Sequence, residues 1–239
     1  VKIFQEYLRV KEQDTLYKNL EMPVAKVLAT MEYNGVKPDM ELLDQLSEDM
    51  RFRISKLEKT AVEQAGEEFN LKSPKQLGVV LFEHLGLPVI KKTKTGYSTD
   101  VKVLEELEDK HPLIGTILEH RKLAKLQSTY IDGLKPLQNT RTGRIHTRFQ
   151  QTVTVTGRLS STDPNMQNIP TRTEEGKQIR KVFVPGEGYD YLMSCDYSQV
   201  ELRILACIAK DEVMLEAFKS GQDVHARTAA EVFGVPLEE

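Results

Sequence analysis

Residues Asp196-Tyr197-Ser198-Gln199-Val200-Glu201-Leu202-Arg203 gather two carboxylates, two hydroxyls and a carboxamide within eight positions, directly after the apolar run Tyr191-Leu192-Met193-Ser194-Cys195. That run has the length and composition of a strand, so the pattern predicts a strand that carries Asp196 to its exposed end. A carboxylate at the edge of a core is costly unless it pairs or coordinates, and holding a divalent cation is the chemistry such a position serves. A competing reading is structural. Ser198 and Glu201 stand three apart at the expected start of a helix, which is the spacing of a capping box. Asp196 lies outside that box and has no basic neighbour close in sequence. His225, shortly after Asp223, is either a solvent-facing residue at a helix start or a phosphate contact near a helix N-terminus.

A second segment, Thr156-Gly157-Arg158-Leu159-Ser160-Ser161-Thr162-Asp163-Pro164-Asn165-Met166-Gln167-Asn168-Ile169-Pro170, is too polar and too Pro-bounded for a core. Its one Arg and three carboxamides are donors of the kind that meet the purine N3 and pyrimidine O2 acceptors common to all base pairs in the minor groove. The alternative is a long connecting loop held by its own side-chain-to-backbone bonds.

These residues need elements to position them. A helix is expected from Asp14 through Met31, bent near Pro23 and ended by Gly35. Leu43, Leu46, Met50, Ile54, Leu57, Ala61 and Ala65 recur at helical steps, and Gly66 closes that run. Ser73-Pro74-Lys75-Gln76 has a capping Ser, Pro at the first helical position and Gln at the third, predicting a helix over 74–85. Residues 91–99 read as a basic loop, Asp100 as the cap of a short helix, and 112–130 as a further helix. From Ile145 to Thr156 the alternation is that of sheet. Helices are again expected over 200–209, 211–218 and 224–233.

With 239 residues, 39% hydrophobic and 29% charged, the chain has the composition of a globular protein with a real core. No apolar run approaches bilayer length and no secretory leader opens the chain, so no membrane partner is expected. Cys195 and Cys207 sit in apolar stretches that suit reduced core packing, which makes the cytoplasm the default compartment. Opening on Val1, the chain reads as a fragment. The net charge of −3 hides a basic middle: residues 120–185 hold twelve Lys or Arg against four Asp or Glu, a balance of +8. Such a stretch is either a phosphate-backbone footprint or a solvated face paired elsewhere in the fold.

Taken together, the two segments resemble the bacterial family A DNA polymerases, whose palm carries D-Y-S-Q-[IV]-E-L-R preceded by T-G-R-L-S-S-x-x-P-N-x-Q-N-I-P. Similarity extends to Ser73-Pro74-Lys75-Gln76-Leu77, Lys91 to Gly96, Leu123 to Tyr130 and Asp223-Val224-His225, nearly the whole chain; Lys72 and Cys195 depart from the family's usual residues. The resemblance implies an α+β fold, mostly helical. It divides into an exonuclease-like tail and first palm helix (1–38), a helical thumb (39–139), palm (140–204) and the start of the fingers (205–239). It implies DNA synthesis at a primer 3′-hydroxyl with two Mg²⁺ ions, Mn²⁺ as substitute, and primer-template DNA, deoxynucleoside triphosphates and the rest of the polymerase chain as partners. Asp196 and the backbone carbonyl of Tyr197 would hold metal. Tyr197, Ser198, Gln199, Glu201 and His225 would meet the nucleotide, with Glu201 excluding a 2′-hydroxyl. Arg158, Asn165, Gln167, Asn168, Arg172, Lys125, Ser98, Thr99 and Ser73 would meet DNA.

The same resemblance implies a monomer acting at the nucleoid. The family's nucleotide-gripping fingers helix and its second catalytic aspartate are not among these residues, so the chain alone is expected to bind primed DNA weakly and not to extend it. Two alternatives stand beside this reading: the palm of a single-subunit RNA polymerase, which would not place an acid such as Glu201 under the 2′ position, and a non-catalytic duplex-binding module.

Overall fold

The computed structural model describes residues 2–94 and 96–236. The chain divides into two units, 1–191 and 192–239. The fold is α+β: helices dominate, joined by three two-stranded antiparallel pairings.

In the first unit, α1 (Lys2–Val10) precedes α2 (Asp14–Leu16), a π-helical turn over Tyr17–Glu21 and α3 (Met22–Asn34). Asp14 is not the cap expected of it: Gln13 holds that position, and Asp14 pairs with Lys18 at 2.8 Å. Gly35 ends α3 at φ 59°, a conformation that costs a Cβ-bearing residue. Next, β1 (Lys37–Pro38) leads to α4 (Met40–Ala65), which Asp39 caps by accepting from Leu42 N at 3.0 Å and Gly66 ends in the left-handed region. Then α5 (Pro74–Val79) starts at Ser73, whose hydroxyl accepts from Gln76 N, and a π-helical turn follows over Val80–His84. The expected basic loop at 91–99 is a small hairpin instead, β2 (Lys92–Thr93) against β3 (Gly96–Tyr97). Cross-strand pairing there is reinforced by Thr93 Oγ1 donating to Gly96 O at 3.0 Å.

After the short α6 (Val101–Glu105), α7 (Pro112–Leu126) continues as a π-helical turn through Ile131. Leu77, Leu81, Leu104, Leu113, Ile114 and Ile117 are fully buried in one cluster between α4 and α7. A second cluster, with Leu43, Met50, Ile131, Ile145, Ile179 and Val182, draws residues from both sides of position 140. Each such side chain contributes about 1.5–3 kcal/mol of burial.

The sheet expected over 145–156 is shorter than predicted. β4 (Arg148–Gln150) pairs with β5 (Ser160–Thr162) in the register Arg148↔Thr162, Phe149↔Ser161 and Gln150↔Ser160. Thr152 to Thr156 therefore belong to the connection, where Thr154 Oγ1 donates to Arg158 O at 2.6 Å. Alternating β-branched residues favour extended backbone, but only a partner strand makes a ladder, and the ladder stops at Gln150. α8 (Glu174–Lys181), capped by Thr173, and β6 (Phe183–Val184), paired with β1, complete this unit.

In the second unit, α9 (Val200–Ala209), α10 (Glu212–Lys219) and α11 (Val224–Phe233) pack through Ala206, Ala217 and Val224. Asp211 caps α10 and Asp223 caps α11. The strand expected at Tyr191–Cys195 is not formed: residues 191–197 are irregular, with Tyr191 86% and Met193 87% exposed. An extended apolar run becomes a strand only when neighbours take its N–H and C=O groups, and no described residue does so. The expectation that Cys195 and Cys207 are core residues fails for the same want of a covering layer, since both thiols are exposed.

Candidate nucleic-acid and nucleotide site

In the second unit, Asp196 lies exposed on the irregular segment, followed by a turn at Ser198–Gln199 that enters α9. No ion pair or hydrogen bond reaches its carboxylate among the described residues. The capping box expected of Ser198 and Glu201 does not form. Gln199 is the N-cap, in the left-handed region at φ 52°, and no side chain caps the helix. The turn is fixed from behind instead: Arg203 Nε donates to Ser198 O at 2.9 Å while its guanidinium lies 4.5 Å from the centroid of Phe218.

Asp223 organises the other side of this small unit. Its Oδ1 accepts from His225 N at 2.7 Å and Ala226 N at 3.2 Å, and its Oδ2 from Gln199 Nε2 at 3.5 Å. The backbone bonds from Ala226 and His225 hold its carboxyl below the usual range. One capping Asp thereby ties Gln199 to the first turn of α11, which bears His225. Arg203 and Asp223 are residues the sequence reading missed; Asp223 carried a visible signal, since Asp two residues before His225 sits where a cap belongs.

In the first unit, a cleft of about 390 Å³ is lined by Lys125, Thr129, Tyr130, Leu134, Pro164, Asn165, Asn168 and Ile169. It brings Lys125, from the helical part, to Asn165 and Asn168, from the polar segment. That segment is also a built turn. Asn165 Oδ1 accepts from Gln167 N at 3.0 Å and from Ser161 Oγ at 3.2 Å, and Ser161 Oγ accepts from Met166 N at 3.0 Å. Tyr130 Oη donates to Asn168 O. With its carbonyl engaged inward, Asn165 keeps its amide as a donor. Gln167, Asn168 and Lys125 are exposed, as are Arg158 in the β4–β5 connection and Arg172 before α8.

Ser98 and Thr99 are placed differently from these exposed donors. Both are buried, at 2% and 6% exposure, and their hydroxyls are engaged: Ser98 Oγ donates to Asp100 at 3.0 Å, and Thr99 Oγ1 accepts from Arg121 Nη2 at 3.1 Å. The expected cap at Asp100 is likewise absent as a side-chain bond. Ser73 accepts from its own helix. Ser98 and Thr99, but not Ser73, line a cleft of about 530 Å³ with Lys72 and Arg121.

One cluster of charges in the first unit is paired within the fold. Arg53 on α4 and Lys122 on α7 meet Glu175 on α8 at 2.9 and 3.1 Å and Glu119 at 3.3 and 3.4 Å. Burial opposes ionisation of Glu175, yet its backbone hydrogen bond and those from Arg53 and Lys122 prevail and bring its carboxyl down to about 2.

A divalent cation of the hard, oxygen-binding type takes several ligands. Asp196 offers one carboxylate and Tyr197 one carbonyl, and no group of three or more His, Cys, Asp or Glu able to hold a metal occurs among the described residues. These residues alone do not complete a metal centre. No helix among the described residues is long and apolar enough to cross a membrane.

Residues 40–239 match the model of DNA polymerase family A. DNA polymerase I of Bacillus subtilis is 52% identical over 238 residues, covering 100% of this chain and 27% of that protein. The Geobacillus stearothermophilus DNA polymerase I is 51% identical over 232 residues, covering 97% of this chain and 26% of that protein. Among solved structures, the polymerase domain of Pol1 from M. smegmatis, in complex with DNA primer-template and dNTP, superposes with a TM-score of 0.91 at 45% identity, covering 98% of this chain and 41% of that one. The chain belongs to DNA polymerase family A. It spans about a quarter of the length of these curated relatives.

Proposed function

We propose that these residues are the thumb, the first part of the palm and the start of the fingers of a DNA-directed DNA polymerase, which adds deoxynucleotides to a primer 3′-hydroxyl. The division into 1–38, 39–139, 140–204 and 205–239 belongs to this reading. The observation that carries it is Asp196. Its carboxylate is exposed and has no ion pair or hydrogen bond among the described residues, beside a turn that Arg203 braces, which supports a ligand role over a stabilising one.

In this reading Asp196 and the Tyr197 carbonyl are two ligands of a Mg²⁺ pair, with Mn²⁺ as substitute, and the remaining ligands come from outside these residues. Ser198, Gln199, Glu201 and His225 face the incoming nucleotide, with Asp223 positioning Gln199 and His225. Lys125, Arg158, Asn165, Gln167, Asn168 and Arg172 face primer-template DNA. Phosphates are met by the basic side chains and base edges by the carboxamides, which favours affinity without sequence preference. Ser98 and Thr99, with hydroxyls engaged in the fold, act by shaping the Lys72–Arg121 cleft, and Ser73 acts by capping the helix that begins at Pro74. A monomer working in the cytoplasm at the nucleoid fits this activity.

Primer extension by the full-length protein tests the proposal. Asp196→Ala is expected to lower the rate by about 10³-fold or more, and an unaltered rate would remove Asp196 from the chemistry.

A further inference from the structure

A cleft of about 620 Å³ at the C-terminal end of α3 shares no lining residue with the Lys125–Asn168 cleft. Its floor is committed to the fold. His146 Nδ1 donates to Glu32 O at 2.8 Å, and Arg144 Nη1 donates to Asn34 O and Gly35 O at 3.2 and 3.3 Å, so two basic side chains satisfy the last carbonyls of α3. The packing there is close: a Cβ on Gly186 would fall 2.0 Å from Arg144 Nη2, and one on Gly35 2.6 Å from Ile145 O.

The rim is not committed. Arg141 stands on a turn fixed by Asn139, whose Oδ1 accepts from Arg141 N at 2.9 Å and Thr142 N at 3.2 Å and whose own N–H donates to Arg144 O at 2.8 Å. The Arg141 guanidinium has no hydrogen bond or ion pair among the described residues. No carboxylate lines the cleft, and two aromatic rings do: Tyr33 is 82% and Tyr189 74% exposed. A guanidinium without a partner among the described residues, on a fixed backbone turn and lining one cleft with two exposed rings, is the combination that takes unpaired nucleotides, with phosphate on the cation and bases on the rings.

We propose that this cleft is a binding site for single-stranded nucleic acid, in which Arg141 holds a backbone phosphate and Tyr33 and Tyr189 stack bases. The inference goes beyond the polymerase reading, because it concerns an unpaired strand and is measurable whether or not Asp196 is catalytic.

The test is fluorescence anisotropy of the full-length protein with labelled oligo(dT) and with a blunt duplex, across a range of salt concentrations. Arg141→Ala is expected to reduce the salt slope for oligo(dT) by about 0.7, one phosphate's share for a single strand, while Arg141→Lys retains it. Tyr33→Ala with Tyr189→Ala is expected to weaken oligo(dT) by about 5- to 150-fold per stacked base at an unchanged slope. Blunt-duplex affinity and the melting temperature should stay as in the parent protein, which separates lost contacts from lost folding. Unchanged oligo(dT) binding in all variants would overturn the proposal. So would an equal loss on the blunt duplex, which marks a general basic surface, or an equal loss on thymidine triphosphate alone, which marks a mononucleotide site.

Discussion

Glu175 and Asp196 are both carboxylates in a chain of 36 acidic residues, and their surroundings are opposite. Glu175, on α8, is nearly buried and meets both Arg53 and Lys122 across two other helices. Asp196 is exposed, on irregular backbone, with no partner among the described residues. The first carboxylate serves architecture: removing it leaves Arg53 and Lys122 with Glu119 alone as their shared partner and cuts the link to α8. The second supports nothing in the fold that could explain its being there. A charge that the fold has already satisfied is accounted for by structure, whereas Asp196, exposed and without a partner among the described residues, is open to the ligand that the proposed function assigns to it.

The sharpest way to break this contrast is to exchange the readouts. Asp196→Ala should lower primer extension by about 10³-fold or more yet leave the melting temperature within about a degree, whereas Glu175→Ala should leave the chemistry near normal and destabilise the fold by about 1–3 kcal/mol. Extension rates and calorimetry on both variants check it, and the contrast collapses if Asp196→Ala melts early. A second test uses acid. Glu175 is brought below its ordinary value of 4.5 to about 2, so its stabilisation is complete above pH 4.5 and is lost as pH falls toward 2. Denaturant midpoints measured from pH 5 to pH 2 should show that loss, and Glu175→Gln should flatten it.

Smaller effects sharpen the picture. Asp223→Ala removes the cap of α11 and the link to Gln199, and hydrogen-exchange protection of residues 224–227 should fall while that of α4 and α7 stays unchanged. Lys125→Ala should weaken primed-DNA binding by only a few-fold and reduce the salt slope by about one; an unchanged slope would take Lys125 off the phosphate backbone.

Much of this was readable from local pattern. The long helical run from Leu43 to Ala65, its Gly66 stop, the Ser73 cap, the span of α9 and the Asp211 start of α10 follow from periodicity and end signals that act within a few residues. The strand expectations failed because they depend on distant partners, while the caps expected at Asp14, Asp100 and Ser198 failed locally. Tyr191–Cys195 has strand composition and no strand beside it, and Thr152–Thr156 alternates like a strand yet lies beyond the end of its ladder. At Ser198–Glu201 the capping spacing was real, but the left-handed Gln199 took the N-cap position and Arg203 secured the turn. The Arg53–Glu175 pair joins residues 122 positions apart, a separation at which no spacing rule operates.

The central claim is that Asp196 is a cation ligand and not a bystander at a turn. Bound Mn²⁺ counted by electron paramagnetic resonance, on the full-length protein with primed DNA and a non-hydrolysable nucleotide, tests it directly by comparing the parent with Asp196→Asn. The account predicts that tight Mn²⁺ is lost in the variant while DNA binding persists; an equal number of ions bound at equal affinity would contradict it.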